Sequence, residues 1–342
     1  MTFEAVLAAL LKGETLESSK ARRVFSDLFQ GKLTLQESKA FLLLLADRGE
    51  TAEEVSACVE ALRQLEKPLS MPFNDLVDTC GTGGDGKHSI NVSTLAAFVM
   101  AGAGARVAKH GNRAISSRTG SSDLMEALGV RLDAPAALMR TAIRDSGIGY
   151  FHAPVYHPVF ARVQPLRKSL GIRTVFNLLG PLVNPCKVAY QLTGVSRKEH
   201  LGLYAEVFKR RKDLKAAMVC HSEDGMDEIS LNGVTHYAWI ENGRIRKGKI
   251  HPRKLGLKPA RAERFKGGGA RENAHFARQF LSGRVRDARR DLILLNAAAG
   301  LWISGMAQDL KEGLHKAVLS VDQGKALHSL EGLVRITTKG KA

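Results

Sequence analysis

The apolar positions follow two different rhythms along the chain. Up to about residue 66 they recur three and four apart, the spacing of one helix face. Phe3, Val6, Leu7, Leu10 and Leu11 form the first stripe, and a second runs over Ser18–Gln30 and stops at Gly31. Thr34-Leu-Gln-Glu37 has the order of a capping box, in which a hydroxyl and a carboxylate each satisfy a free N–H at a helix start. It opens a run over Ser38–Asp47, and Thr51-Ala-Glu-Glu54 repeats the device before Val55–Leu65. Four short helices joined by tight turns are expected, with apolar faces too large to leave in water.

Beyond Pro68 and Pro72 short apolar runs alternate with longer helical segments. Asp75–Asp78, Arg106–Lys109, Ile148–Phe151, Val188–Val195, Ala216–His221 and Val234–Ile240 read as strands. Leu95–Ala103, 121–128, Ala134–Ser146, Glu199–Arg210 (capped by Ser196), 272–282, 286–304 and 309–322 read as helices. Between them, Pro154, Pro158, Pro165, Pro181 and Pro185 exclude one long helix over 153–185 and predict two with a hinge. This alternation predicts an α/β fold with a mostly parallel sheet and ligands at the strand C-terminal ends. The organisation expected is a small helical subdomain over 1–70, joined by part of 153–185, and a larger α/β domain over 71–342.

Composition narrows the class. With 342 residues, 44% of them hydrophobic, the chain can bury a sizeable core. No apolar run approaches the roughly 18–20 residues of a membrane span, and MTFEAVLAALLKGE reads as a first helix rather than a signal peptide. Cys58, Cys80, Cys186 and Cys220 form no CxxC, which fits reduced thiols in the cytoplasm. Cys80 beside a glycine turn fits a small buried thiol better than a nucleophile. The net charge of +17 is concentrated in 244–271, where Glu263 is the only acid. A solvated charged face is the simpler reading, and a nucleic-acid or acidic-partner surface is the alternative.

The chemistry gathers in Asp78–Gly129. Gly81-Thr-Gly-Gly-Asp-Gly86 allows close backbone approach to a bulky anion, yet it is neither a Walker loop nor a dinucleotide fingerprint. Asp85 repels phosphate, so it should hold a ribose hydroxyl, a metal or the loop itself. Ser89, Asn91, Ser93 and Thr94 offer hydroxyls and an amide at a helix start, suited to phosphate or to Mg²⁺ as readily as to capping. Lys109 at a strand end, followed by His110, Asn112, Arg113, Ser116, Ser117 and Ser121, reads as a phosphate clamp. Farther on, Asp227 and Glu228 in Asp224-Gly-Met-Asp-Glu228 present adjacent carboxylates to a hard metal. Arg167 could grip a carboxylate, though spacing alone does not separate that from a surface arginine.

In order, DTCGTGGDG, NVST, KHGNRAISSRTGSSDLMEALGV, HPVFARVQPLRKSLGIRTVFNLLGPLVNP and DGMDEIS resemble the anthranilate phosphoribosyltransferases. These are the tryptophan-pathway branch of the family that also holds the pyrimidine and thymidine nucleoside phosphorylases. The resemblance covers essentially the whole chain and implies a homodimer with the active site in a cleft between the helical and α/β parts. It implies phosphoribosyl pyrophosphate (PRPP) contacts at Gly81, Gly84, Asp85, Ser89, Asn91, Val92, Ser93, Thr94, Lys109, His110, Gly111, Asn112, Arg113, Ser116, Ser117 and Ser121. It implies Mg²⁺ ligands at Ser93, Asp227 and Glu228, and anthranilate contacts at Gly81, Asn112 and Arg167. His110 and Tyr156 fall where the aromatic acid would pass. Lys109 and Arg167 are then positioning groups, and no acid–base residue is implied. A related transferase with another aromatic acceptor, or a basic nucleic-acid-binding relative, is the alternative. The chain departs from the family pattern at Ser222 after His221, at Pro158, at Arg162, at HPRKLG and at Gly269.

Overall fold

The computed structural model describes residues 2–114 and 118–339. Four helices come first: α1 (Phe3–Leu11), α2 (Ser18–Gln30), α3 (Leu35–Arg48) and α4 (Ala52–Leu65). Then β1 (Val77–Gly81), α5 (Val92–Gly102), β2 (Val107–Gly111), α6 (Ser121–Ala127), α7 (Ala136–Ser146) and β3 (Ile148–His152) alternate. After α8 (Ala153–Tyr156) and α9 (Val159–Leu170) come β4 (Tyr190–Gly194), α10 (Lys198–Lys209), β5 (Ala216–Ser222), β6 (Thr235–Glu241) and β7 (Arg244–Ile250). The chain closes with α11 (Ala270–Leu281), α12 (Ala288–Ile303), α13 (Leu310–Asp322) and α14 (Lys325–Thr338). Two compact units result: Met1–Pro68 with Pro154–Pro185, and Leu69–Ala153 with Cys186–Ala342.

In the first unit both capping boxes form, Thr34 with Glu37 and Thr51 with Glu54. Each helix therefore begins immediately after its threonine, earlier than the apolar stripe alone indicates. Phe25, Phe29 and Phe41 fill the core, with the Phe25 and Phe41 rings edge-on at 5.2 Å. The returning segment adds α9, and Phe176 meets Phe29 at 6.0 Å. Pro165 lies inside α9, so this proline is accommodated within a helix rather than ending one. Glu66 accepts from His157 Nδ1 and from the Val159 N–H, both at 2.8 Å, and so anchors the start of α9 to the end of α4.

The second unit is built on a seven-stranded sheet of order β3-β2-β1-β4-β5-β6-β7. β3, β2, β1, β4 and β5 run parallel, and β6 and β7 are antiparallel additions. α5 is apolar nearly all round and buried almost throughout, as a helix must be when it packs on the sheet and is covered in turn by α12, α13 and α14.

Three elements differ from the expectations. Ser196 caps nothing: α10 starts at Lys198 with Arg197 at its N-cap and no side-chain cap bond. The basic run is not only a solvated face, because Arg244–Ile250 forms β7. Asn242 and Gly243, both at positive φ (51° and 69°), make the tight turn from β6, and an Asn-Gly pair is the sequence signal for that hairpin. α14 follows the last helix expected from the sequence, and it buries Leu330, Leu333 and Ile336 at helical spacing.

Glu54 concentrates several bonds in one buried carboxylate: the Leu16 N–H at 2.8 Å, the Thr51 N–H and hydroxyl at 2.9 Å each, and the Arg48 guanidinium. Glu54→Ala removes the ion-pair partner of Arg48, which keeps its bonds to the Glu14 and Gly49 carbonyls, and leaves the Leu16 and Thr51 N–H groups without this acceptor, so it should destabilise the helical unit by about 3 kcal/mol. Thr51→Ala should cost about 1 kcal/mol. Urea unfolding followed by circular dichroism checks both, and equal small losses would reduce Glu54 to an ordinary cap.

Candidate active site

Strand order reverses between β1 and β4, and in open α/β sheets ligands bind outside the strand C-termini at such a switch point. Asp227 occupies this position. A Cβ on Gly81, at the end of β1, would overlap its Oδ2, and a Cβ on Gly194, at the end of β4, would overlap its backbone carbonyl. Both strands must therefore end in glycine for the acidic turn to enter. From Gly81 the chain passes through Gly83, Gly84 and Gly86, all left-handed (φ +71°, +72° and +68°). Successive N–H groups in such a turn form a concave anion-binding surface. The turn is held from β4: Thr82 N–H bonds the Gly194 carbonyl at 2.9 Å, and Ser196 Oγ donates to the Gly83 carbonyl at 3.3 Å.

The two carboxylates are wired to this turn and to the start of α5. Asp227 Oδ2 accepts the Gly83 N–H at 2.6 Å, and Glu228 Oε1 accepts the Ser93 N–H at 3.2 Å. The hydroxyl of Ser93 does not carry the contact with Glu228. Asn91 precedes α5 but spends its amide elsewhere, donating to the Thr119 carbonyl at 3.0 Å and accepting from Asn273 Nδ2 at 3.1 Å. Val92 and Thr94 are buried within the first turn, and the Thr94 hydroxyl has no hydrogen-bond partner among the described residues. Ser89 lies beside Lys266 in an isolated bridge, so the end of the basic stretch reaches the segment that leads into α5.

Burial pushes the Asp227 carboxyl up to about 7 and the Glu228 carboxyl upward as well, each reinforced by neighbouring acids. The charge of Asp85 adds to the upward shift of Asp227, while one Asp85 oxygen is buried without a hydrogen-bond partner among the described residues. Two carboxylates that close need a shared proton or a cation between them. Among the described residues no three His, Cys, Asp or Glu side chains form a ready-made metal cage. Mg²⁺ does not require one, since it takes one or two carboxylates, waters and substrate phosphates. The donor set fits that ion: Asp227 and Glu228 could hold it, with Asp85 adjacent. Burial also holds the Cys80 thiol protonated, which removes it as a nucleophile.

Lys109 is only 2% exposed, and its ammonium donates to the His110 carbonyl at 3.0 Å. It acts electrostatically on Glu228 from inside the fold. The His110 N–H donates to Asp78 Oδ1 at 3.3 Å, bridging β1 and β2 beyond their paired residues Val77 and Val107. The following turn is tied at its base by Asp123, which accepts the Ala114 and Gly120 N–H groups at 2.9 Å. Ser121 Oγ and the Asn112 backbone are joined at 3.2 Å. A Cβ on Gly111 would overlap Ser121 Oγ. Arg113 is engaged with Asp123 at 3.0 Å and Glu126 at 2.8 Å. Ser116 and Ser117 lie outside the described residues.

In the helical unit, Arg167 is half-buried on α9 with its guanidinium 5.9 Å from the Phe176 ring. Burial lowers its pKa, and no acid pairs with it among the described residues. A cation so placed is suited to an incoming carboxylate. Tyr156 ends α8.

Several supports were not singled out from the sequence. Asn296 brackets the residue after Glu228: it accepts the Ile229 N–H and donates to the Ile229 carbonyl, each at 2.9 Å. Its signal was a lone amide in the apolar run Leu292–Gly300. Ser222, a departure from the family pattern, donates to the Glu228 carbonyl at 2.6 Å. Asn273 and Asp123 act similarly on Asn91 and on the second turn.

Known proteins share this architecture. Residues 73–327 match the model of a glycosyl transferase family α/β domain, and 4–65 match the helical bundle domain of that family. The chain is 43% identical over 337 residues to anthranilate phosphoribosyltransferase of Xanthobacter autotrophicus, covering 98% of this chain and 97% of that one. The Thermus thermophilus enzyme of the same name superposes with a TM-score of 0.90 at 40% identity, over 97% of this chain and 98% of that one. The Saccharomyces cerevisiae enzyme, solved in complex with PRPP and Mg, gives 0.88 at 28% identity, over 98% and 97%. The chain is thus a member of this two-domain glycosyl transferase family. Within it, the chain belongs to the anthranilate phosphoribosyltransferases.

A carboxyl raised by folding keeps a proton that the unfolded chain releases. Between the ordinary carboxylate range and about pH 7, the metal-free protein should therefore lose stability as pH rises. Mg²⁺ should offset this, so its thermal shift should be larger at pH 8 than at pH 5, and Asp227→Asn should reduce the difference. An equal Mg²⁺ shift at both pH values, or one unaffected by Asp227→Asn, would remove Asp227 from the metal site.

Proposed function

We propose that the chain transfers the phosphoribosyl group of PRPP to the amine of anthranilate, releasing pyrophosphate and N-(5-phosphoribosyl)anthranilate in tryptophan biosynthesis. The observation that carries this reading is the junction of Asp227 and Glu228 with the Gly83 N–H and the start of α5. It supports an anion-binding turn next to a divalent-cation site, as a pyrophosphate leaving group requires. Mg²⁺, when bound, supplies positive charge to the departing pyrophosphate oxygens.

The residues divide the work. The N–H groups of the 81–86 turn and the start of α5 receive pyrophosphate oxygens. Asn112, Ser121 and the turn between them hold the remaining phosphate and ribose groups. Lys109 sets the local potential from beneath rather than touching solvent. The C1–O bond breaks with its electron pair leaving on pyrophosphate, and the amine nitrogen bonds C1 from the opposite face and then releases a proton. Anthranilate's amine is already a neutral nucleophile, so positioning and preorganised charge supply most of the acceleration. Arg167 orients the acceptor carboxylate.

The reading extends to assembly and place. Six of the seven exposed large apolar side chains among the described residues, Leu11, Leu35, Leu43, Leu65, Val155 and Ile172, belong to the helical unit, and Leu319 alone lies in the other. That clustering supports a homodimer formed through this unit. All four cysteines are free and no helix among the described residues is long and apolar enough to cross a membrane, which supports a cytoplasmic enzyme.

Loss of anthranilate fluorescence in the presence of PRPP and Mg²⁺ measures the reaction directly. Arg167→Ala should raise KM for anthranilate about 10- to 100-fold, the range of a charge-assisted pair, and leave KM for PRPP nearly unchanged. An unchanged anthranilate KM would remove Arg167 from the acceptor site. Sedimentation should report a dimer that Leu11→Glu with Leu43→Glu converts to monomer, and a monomeric parent protein would refute the assembly.

A further inference from the structure

Behind Gly111 and Ser121, the side chains of Ser122, Tyr150 and His152 form a polar line to which the reaction assigns no role. His152 Nδ1 is 2.7 Å from Ser122 Oγ, and Ser122 Oγ is 2.7 Å from Tyr150 Oη. Tyr150 donates to Ser121 Oγ at 3.1 Å, and Ser121 donates to the Asn112 carbonyl at 3.2 Å while accepting the Asn112 N–H. Ser122 and Tyr150 are fully buried and His152 nearly so. An apolar core would fill this space at lower cost, because every buried hydroxyl must find a partner. Gly111 makes the approach possible, since a Cβ there would meet both Ser121 Oγ and Tyr150 Oη.

Counting protons fixes the direction of the line. Each hydroxyl has one hydrogen to give. Ser121 gives its own to Asn112, so it accepts from Tyr150. Tyr150 then accepts from Ser122, and Ser122 accepts from His152, which must carry its proton on Nδ1. Burial pushes the Tyr150 phenol up to about 12, so it remains a donor across the working range. With Tyr150 and the Asn112 N–H occupying its acceptor positions, Ser121 engages a further group only by turning its single O–H from the Asn112 carbonyl to an incoming acceptor. It is thereby preset as a donor, and bonds in such a line strengthen one another. The line begins at the last residue of β3, one residue before the chain leaves this unit after Ala153.

We propose that Tyr150 and His152 are positioning residues for PRPP, acting through Ser122 to fix Ser121 as a hydrogen-bond donor to a substrate phosphate oxygen and to hold the Asn112 turn in place. The proposal rests on the reading of Ser121 as a PRPP contact.

A double-mutant cycle in the fluorescence assay, with PRPP titrated at saturating anthranilate, tests it. Tyr150→Phe should raise KM for PRPP about 3- to 10-fold, the value of one hydrogen bond, with kcat and the anthranilate KM within about twofold. His152→Phe should act in the same direction, and His152→Asn, which keeps an N–H near Nδ1, should restore the parent value. In a Ser121→Ala background, Tyr150→Phe should add nothing further. If Ser121→Ala raises KM for PRPP but Tyr150→Phe does not, or if the two effects simply add, the proposal is overturned while the function stands. If Ser121→Ala itself leaves KM for PRPP unchanged, the phosphate role of Ser121 falls and the proposal falls with it. Should Tyr150→Phe fold poorly, the His152→Phe and His152→Asn pair decides by the same readout.

Discussion

Asp227 and Glu228 sit at the switch point of a parallel sheet with little water around them, and two anionic groups in such a place must be received by something. Their partners are backbone N–H groups at Gly83 and Ser93. That requirement dictates much of the surrounding structure. β1 and β4 end in Gly81 and Gly194 because any side chain there would collide with Asp227. The 81–86 turn is left-handed at three glycines, and its Gly83 N–H is turned onto Asp227. Asn296 and Ser222 hold the backbone on the far side of the pair. Lys109, a long cation normally found in water, is buried where it acts on Glu228. Desolvated carboxylates that repel one another form an energetically unfavourable apo site, and this makes the site receptive to a divalent cation bound to phosphate.

Phosphoribosyl transfer to a neutral amine demands little proton chemistry, and the structure is organised accordingly. Among the described residues nothing around the pair resembles a nucleophile and its base, and burial raises the Cys80 thiol so that it stays protonated. What the α/β unit does contain is an abundance of short polar ties that immobilise loops. Asp123 closes one turn, Asn273 holds Asn91 at the start of α5, and Ser196 braces the glycine turn. Each tie removes freedom that substrate binding would otherwise have to remove. In a reaction driven by orientation and fixed charge, rigidity of this kind is the catalytic contribution open to the protein.

The basic stretch has a structural explanation for part of its charge. β7 is an edge strand with one side of its backbone unpaired, and such edges invite pairing with other chains. Arg244, Arg246, Lys247 and Lys249 are exposed along it, and like charges on an edge oppose that association. Arg246 pairs with Glu241 at 2.8 Å, but an exposed pair of this kind contributes less than about 1 kcal/mol. The charge therefore governs how the strand meets other molecules more than how it folds.

What the amino-acid sequence determined alone was whatever acts over a few residues. Helical spacing, the two capping boxes and the left-handed glycines are local devices, so α1 to α4 and the glycine turn were legible from it. The candidate residues were legible as types, and their resemblance to one family supplied roles. β7 and α14 were missed because charge masked the alternation around Asn242-Gly243 and a short apolar stripe followed Gly324. Tertiary structure alone decided which groups meet. Gly83 and Asp227 are 144 positions apart, and Ser93 and Glu228 are 135 apart. Only folding of the parallel sheet brings them to one point, by setting the ends of β1 and β4 side by side. The same closure buried Lys109, expected as a phosphate clamp, and moved Ser196 from a helix cap to a brace. No local pattern encodes such changes, because burial and partnership are properties of the whole packed unit.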